Sequence, residues 1–108
     1  MAFDFDKIFK DALSAGVTAA KPGGKLAEDW VRESAKANED TLRAIAEGIL
    51  AKQISKESGA MLFRESARAL QSEASALSVI IKATAQAAVN AFLSSLSSAL
   101  ASALKLAL

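Results

Sequence analysis

Cysteine, histidine and tyrosine are absent from this 108-residue sequence, and proline and tryptophan occur once each. The chain therefore has no thiolate, no imidazole, no disulfide and few of the side chains that usually bind transition metals. Carboxylates such as Glu33 and Asp40 are present, but the sequence pairs them with no activated nucleophile, metal-ligand set or oxyanion-stabilising group. We expect no metal site, no cofactor, no small-molecule substrate and no enzymatic activity.

Aromatic residues are also scarce, at 6% of the chain, although hydrophobic residues make up 52%. The apolar content is mostly alanine and leucine, which favour helix over strand. A chain of this length suffices for one domain with its own core. The composition predicts an all-α fold, a small bundle built on an antiparallel helical hairpin, in one domain spanning residues 1–108.

Charge is nearly balanced, with 13 basic and 12 acidic residues and a net charge of +1, so no overall field attracts nucleic acid. The distribution is uneven, because only Lys82 and Lys105 follow Glu73. The first residues lack the basic and apolar regions of a secretory signal, so we expect no signal peptide. Localisation is otherwise left open, either as a soluble protein or as part of a macromolecular assembly.

Apolar spacing and helix-end signals divide the chain into four segments. We predict a short amphipathic helix over 3–16 that covers the hairpin as a lid, a loop over 17–24, a charged helix over 25–54 and a long helix over 55–108. Asp4 and Ser55 are suited to cap helix N-termini, and Gly16 is placed to end the first helix. The helical hairpin consists of the second and third helices.

Two features of the first helices have more than one interpretation. Phe5, Ile8 and Phe9 form an apolar face that either covers the hairpin or docks in a groove on another protein. Asn38 interrupts the apolar seam of the second helix, where a polar residue sets register or oligomeric state. Equally, Asn38 is explained by a partly exposed position where the hairpin splays.

The C-terminal third is the most unusual segment, because no charged residue lies between Lys82 and Lys105. At 100° per residue, leucines and Phe92 share one side of this helix and most of the serines lie opposite. Serine is a poor choice for a solvated helix face but allows close helix contacts. The predicted self-association or membrane interface is Phe92, Leu93, Ser94, Leu96, Ser98, Leu100, Ser102 and Leu104.

An unbroken helix over 55–108 is longer than its hairpin partner by roughly 25 Å, at about 1.5 Å per residue. The overhanging leucines need a partner, which is a second copy, a bilayer or the same chain folding back near 90–95. We expect burial against a second molecule rather than within this chain alone.

Three functional hypotheses follow, and they differ in what the C-terminal helix contacts. The leading one is a structural or assembly protein that forms a homo-oligomer through its C-terminal helix. The first alternative is a membrane-active or conduit-forming protein whose Leu/Ser helix inserts into a bilayer. The second is a monomeric adaptor that binds a partner helix in a groove beside Phe63, Leu70 and Leu77.

Overall fold

The computed structural model of the protein describes residues 3–77 and 79–106, without the side chains of residues 79 and 80. Within these residues the chain is all-α, as the composition predicts, and contains four α-helices. They are α1 (Phe5–Ala20), α2 (Gly24–Leu50), α3 (Lys56–Ser75) and α4 (Val79–Leu104). A short 3-10 turn, Lys21–Gly23, joins α1 to α2.

Both predicted N-caps are present. The side chain of Asp4 accepts a hydrogen bond from the backbone N–H of Lys7 (3.2 Å), and that of Ser55 accepts one from Ser58 (3.0 Å). Each cap satisfies one of the backbone donors that a helix N-terminus leaves without an intrahelical partner. The starts of α1 and α3 are therefore local properties of the sequence.

The predicted end of the first helix was wrong. α1 continues through Gly16 to Ala20, so most of the predicted loop over 17–24 is helical. Gly16 is instead buried where α1 crosses α4: a Cβ atom added to it would lie 3.1 Å from Cβ of Phe92 and 3.2 Å from the carbonyl oxygen of Ala88. The glycine permits close approach of two helices, and Gly24, with φ of 76°, makes the turn into α2.

The four helices alternate in direction along the bundle. Phe9 lies beside Phe92 while Gly16 lies beside Ala88, so α1 and α4 are antiparallel. α3 contacts α2 and α4 but not α1, which places α1 and α3 on opposite sides of the bundle. The result is an up-down-up-down arrangement in which α4 contacts all three other helices and α1 most extensively.

The predicted helix over 55–108 was also wrong, because it is two helices. α3 ends at Ser75 and α4 begins at Val79, without a glycine or proline between them. At this end the Ser75 hydroxyl donates to the carbonyl oxygen of Gln71 (3.1 Å), and the N–H of Leu77 reaches Ala74 in a tightened last turn (3.3 Å). Folding back here lets α4 bury its apolar side against α1 and α2. The free energy gained by this burial outweighs the helix propensity of the residues at the break.

Close packing at Gly16 gives a test of the fold. Replacing Gly16 by Leu, a good helix former, places a side chain where Phe92 and Val31 already sit. We expect the free energy of unfolding to fall by about 1–3 kcal/mol, the usual cost of overpacking, in urea denaturation. Ser14→Leu, at an exposed position two residues earlier, should change it by less than about 0.5 kcal/mol. Equal effects of the two substitutions would contradict the α1–α4 contact.

Candidate interaction surface

One side of α4 is the centre of the core. Its large apolar side chains are buried by the other helices of the same chain: Phe92 is 1% exposed and Leu96 is fully buried. The remaining buried members of the predicted interface are Leu93, Leu100 and Leu104. The expectation that these residues need a second molecule to cover them was therefore wrong, because α1, α2 and α3 cover them. The fold-back occurs between α3 and α4 rather than near 90–95.

The other side of α4 is exposed. We call it the α4 stripe and define it by six exposed residues spaced three or four apart: Ala83, Ala87, Asn90, Ser94, Ser98 and Ser102. At about 1.5 Å per residue the stripe is about 29 Å long. The three predicted interface serines thus lie together on a surface that this chain leaves open, on the face opposite the predicted leucines.

The absence of charge from this stripe sets α4 apart. Exposed positions of the other three helices carry ionised side chains, as the sequence pattern predicts for solvated faces. Examples are Lys10 on α1, Asp40 on α2 and Arg68 on α3. α4 reaches water over a comparable length with alanine, serine and one asparagine only. A solvated helix face has no evident reason to omit charge over this length.

Two side-chain hydrogen bonds join α4 to α3 along one border of the stripe. The Gln71 amide donates to the side-chain oxygen of Asn90 (3.3 Å), and the Gln86 amide donates to the Ser75 hydroxyl (3.1 Å). These neutral hydrogen bonds tie α4 to α3 without placing a charge beside the stripe. The polar residues of α4 that face α3 are therefore used within the chain.

α1 extends the surface on the other border with small and apolar side chains. Asp6 marks the side of α1 that faces α2, through its ion pair with Arg43. At 100° per residue, Ile8, Ala15 and Ala19 lie on the opposite side of α1 and are partly buried beside α4. The exposed surface is therefore wider than α4 alone and is made mostly of small side chains.

Arg43 fastens the start of α1 to α2. Its guanidinium forms ion pairs with Asp6 and with Glu39 (3.1 Å), and Cζ lies 5.0 Å from the centre of the Phe5 ring. The hydrogen bond from Arg43 to Asp6 raises the pKa of Arg43 above its ordinary value. The contact holds α1 against α2.

Several predicted site residues are used inside the chain. Phe5 and Phe9 are buried in the core, with the Phe9 ring edge-on to Phe92, so α1 presents neither to another protein while the bundle is folded. Ile8 is only partly buried. The amide of Asn38 donates to the carbonyl oxygen of Ser34 (2.8 Å), a local bond within α2, and its role in setting register stays a prediction.

The groove predicted for a partner helix is filled by the chain itself. Phe63 and Leu70 are buried in the core, and Leu77 is partly buried against it. A monomeric adaptor would therefore need another surface.

Sequence reasoning missed the alanines of the candidate surface. Ala83 and Ala87 belong to the α4 stripe, and Ala15 and Ala19 border it, but their periodicity resembles that of buried positions. Alanine has no polar group by which an exposed position can be recognised. The charge-free interval between Lys82 and Lys105 could have indicated these residues if it had been interpreted as an exposed surface as well as a core.

By length and composition α4 also qualifies as a candidate membrane span. The stretch Ile81–Leu104 has 24 residues and a mean hydropathy of 1.4, and 39% of its apolar window is buried inside the bundle. A core helix of a soluble protein has the same properties, so hydropathy alone does not distinguish the two.

No protein-family model matches the chain, and no curated protein or solved structure is significantly similar to it. The surfaces and side chains of the molecule itself are therefore the basis for a functional proposal.

The two sides of α4 make opposite predictions for stability. Leu96→Ala removes buried methyl groups at the centre of the bundle, and we expect it to cost about 2–5 kcal/mol of unfolding free energy. Ser98→Ala, two residues further on the exposed side, should change it by less than about 0.5 kcal/mol. Chemical denaturation at low protein concentration measures both, and a large loss for Ser98→Ala would contradict its exposure in the monomer.

Proposed function

We propose that this protein is a non-enzymatic assembly subunit that self-associates through the α4 stripe and the adjoining side of α1. The observation that supports this most is the charge-free exposed side of α4, which differs from the exposed faces of α1, α2 and α3. Small side chains let two helices pack with their axes about 8 Å apart, close enough for contacts between backbones. Desolvating such a surface leaves no ion without a partner.

The interior of the bundle is apolar. Among the described residues no polar or charged side chain is buried, and no group of three acidic residues is placed to hold a metal. Catalytic residues usually occupy partly buried sites that alter their pKa values. The ionisable groups of this chain lie on its outside.

The size of the surface sets the expected strength. A stripe about 29 Å long and about 10 Å wide offers about 300 Å² per subunit, well under the roughly 800 Å² of a standard stable interface. The bordering residues Ile8, Ala15 and Ala19 enlarge it, but the contact stays small. We therefore expect association that is weak for one pair of subunits and significant when subunits are concentrated or repeated in an assembly.

Three substitutions to lysine test the proposal. Replacing Ser94, Ser98 and Ser102 by Lys puts three like charges on each copy of the stripe, while a solvated face of a monomer tolerates them. We expect the light-scattering mass of the unmodified protein to rise with concentration into the high micromolar range. The triple variant should keep its helical circular dichroism and the mass of a monomer.

A second triple variant provides the control. Ser14→Lys, Thr18→Lys and Ser72→Lys add the same charge at exposed positions outside the α4 stripe. This variant should associate like the unmodified protein, because only general charge repulsion has changed. An unmodified protein that stays monomeric throughout the range contradicts the proposal, as does equal loss of association in both variants.

A membrane role is the second candidate, favoured by the apolar span Ile81–Leu104. Insertion requires α4 to leave the bundle and expose Phe92 and Leu96 to lipid, at the cost of the core. Dye release from liposomes tests it. Release that increases when the bundle is destabilised by Leu96→Ala would support insertion, whereas no release from vesicles of several compositions would remove this candidate.

A further inference from the structure

An open cavity of about 330 Å³ lies at the end of the bundle where α2 and α4 end and α3 begins. Its floor is apolar and includes Ile49, Ile54 and Leu104, of which Ile49 and Leu104 are more than nine-tenths buried. Leu50, which is 47% exposed, stands at its edge. The volume is at the lower end of the range of about 300–1,000 Å³ for small-molecule sites.

Three lysines surround this apolar floor. Lys52, Lys56 and Lys105 all line the cavity, and no acidic side chain does. In the part of the chain that the structure describes, none of the three ammonium groups forms an ion pair. A neighbouring depression is lined by Lys56 and Lys105 together with Glu57, so one carboxylate lies close to the cavity but outside its lining. The cavity thus combines an apolar interior with a concentrated positive rim.

Two of these lysines occupy unusual backbone positions. Lys52 (φ 62°) and Lys105 (φ 58°) are the residues other than glycine that have positive φ within the described ranges. Each follows the end of a helix, and the next N–H bonds back five residues, from Gln53 to Gly48 and from Leu106 to Ala101. Glycine is the usual residue at this position of a helix C-terminus, because it has no Cβ.

Lysine here is not explained by the helix dipole alone. A basic residue in the last turn of a helix is stabilising, but α2 and α4 have none in their last turns. The lysines instead lie just beyond the last turn, in the left-handed conformation that a side chain disfavours, and both line the same cavity. The ends of two helices therefore bring two lysine side chains to the same cavity.

We propose that this cavity binds a single-chain anionic amphiphile, with its carboxylate or phosphate head group among Lys52, Lys56 and Lys105 and its first methylene groups against Ile49, Ile54 and Leu104. The positive rim complements the head group, and the apolar floor takes up a chain that water excludes. This site is separate from the α4 stripe and does not depend on self-association.

Titration calorimetry with decanoate, below the concentration at which it forms micelles, tests the proposal. The key variant combines Lys52→Gly, Lys56→Gln and Lys105→Gly. Because glycine is preferred where φ is positive, this variant should fold at least as stably as the unmodified protein. We expect saturable binding that is about tenfold weaker in the variant, as for the loss of three partly solvated ion pairs.

The control removes the same charge elsewhere. Lys7→Gln, Lys10→Gln and Lys36→Gln alter exposed lysines that do not line this cavity and should leave the affinity unchanged. Decyltrimethylammonium, a cation with the same chain length, should not bind. Equal affinity of the two triple variants, equal binding of the cationic amphiphile or the absence of saturable binding would overturn the proposal.

Methyl NMR spectra of the unmodified protein locate the site without any substitution. Decanoate should shift the methyl resonances of Ile49, Ile54 and Leu104, and shifts confined to other methyl groups would overturn the assignment. Vesicles of phosphatidylglycerol and of phosphatidylcholine separate two sources of the ligand. Binding of free decanoate without sedimentation on anionic vesicles supports a soluble amphiphile, and both together support a head group reached in a bilayer. Sedimentation on anionic vesicles without decanoate binding would overturn the cavity site.

Discussion

Burial of the apolar side of α4 is the interaction on which the rest of the structure depends. Phe92 and Leu96 lie at the centre of the bundle, and all three other helices contact the helix that carries them. Because α1 lies along this helix at the distance that Gly16 permits, the aromatic cluster of Phe5, Phe9 and Phe92 closes over it. The other three helices are placed around α4 so that together they cover its apolar side.

Helix content and the two N-caps could be predicted because they depend on nearest neighbours along the chain. Asp4 and Ser55 need only a backbone N–H three residues away. The break between Ser75 and Val79 could not, because no glycine or proline marks it and the gain from folding back lies in contacts with α1 and α2. Gly16 was misread for the same reason: its neighbours Ala88 and Phe92 are distant in sequence.

The candidate surface was predicted in part. The charge-free interval drew attention to α4, and three of the predicted serines lie on its exposed side. The interval also suggested that both sides of the helix need a partner, whereas the folded chain provides one for the leucines. Their burial leaves a different question, which is why a solvated face omits charge. The proposed self-association would explain the missing charge, since alanine and serine permit close contact between helices and leave no ion to desolvate.

The proposed self-association through α4 can be tested directly by spin labelling, because the chain contains no cysteine of its own. A nitroxide label attached through Gln71→Cys, exposed on α3 beside the α4 stripe, leaves the stripe itself unsubstituted. At high protein concentration it should show dipolar coupling between labels of two copies, because paired helix axes lie about 8–10 Å apart. A label attached through Lys36→Cys, on the exposed side of α2, should show none. No coupling at Gln71 under these conditions, or equal coupling at both positions, would contradict the account.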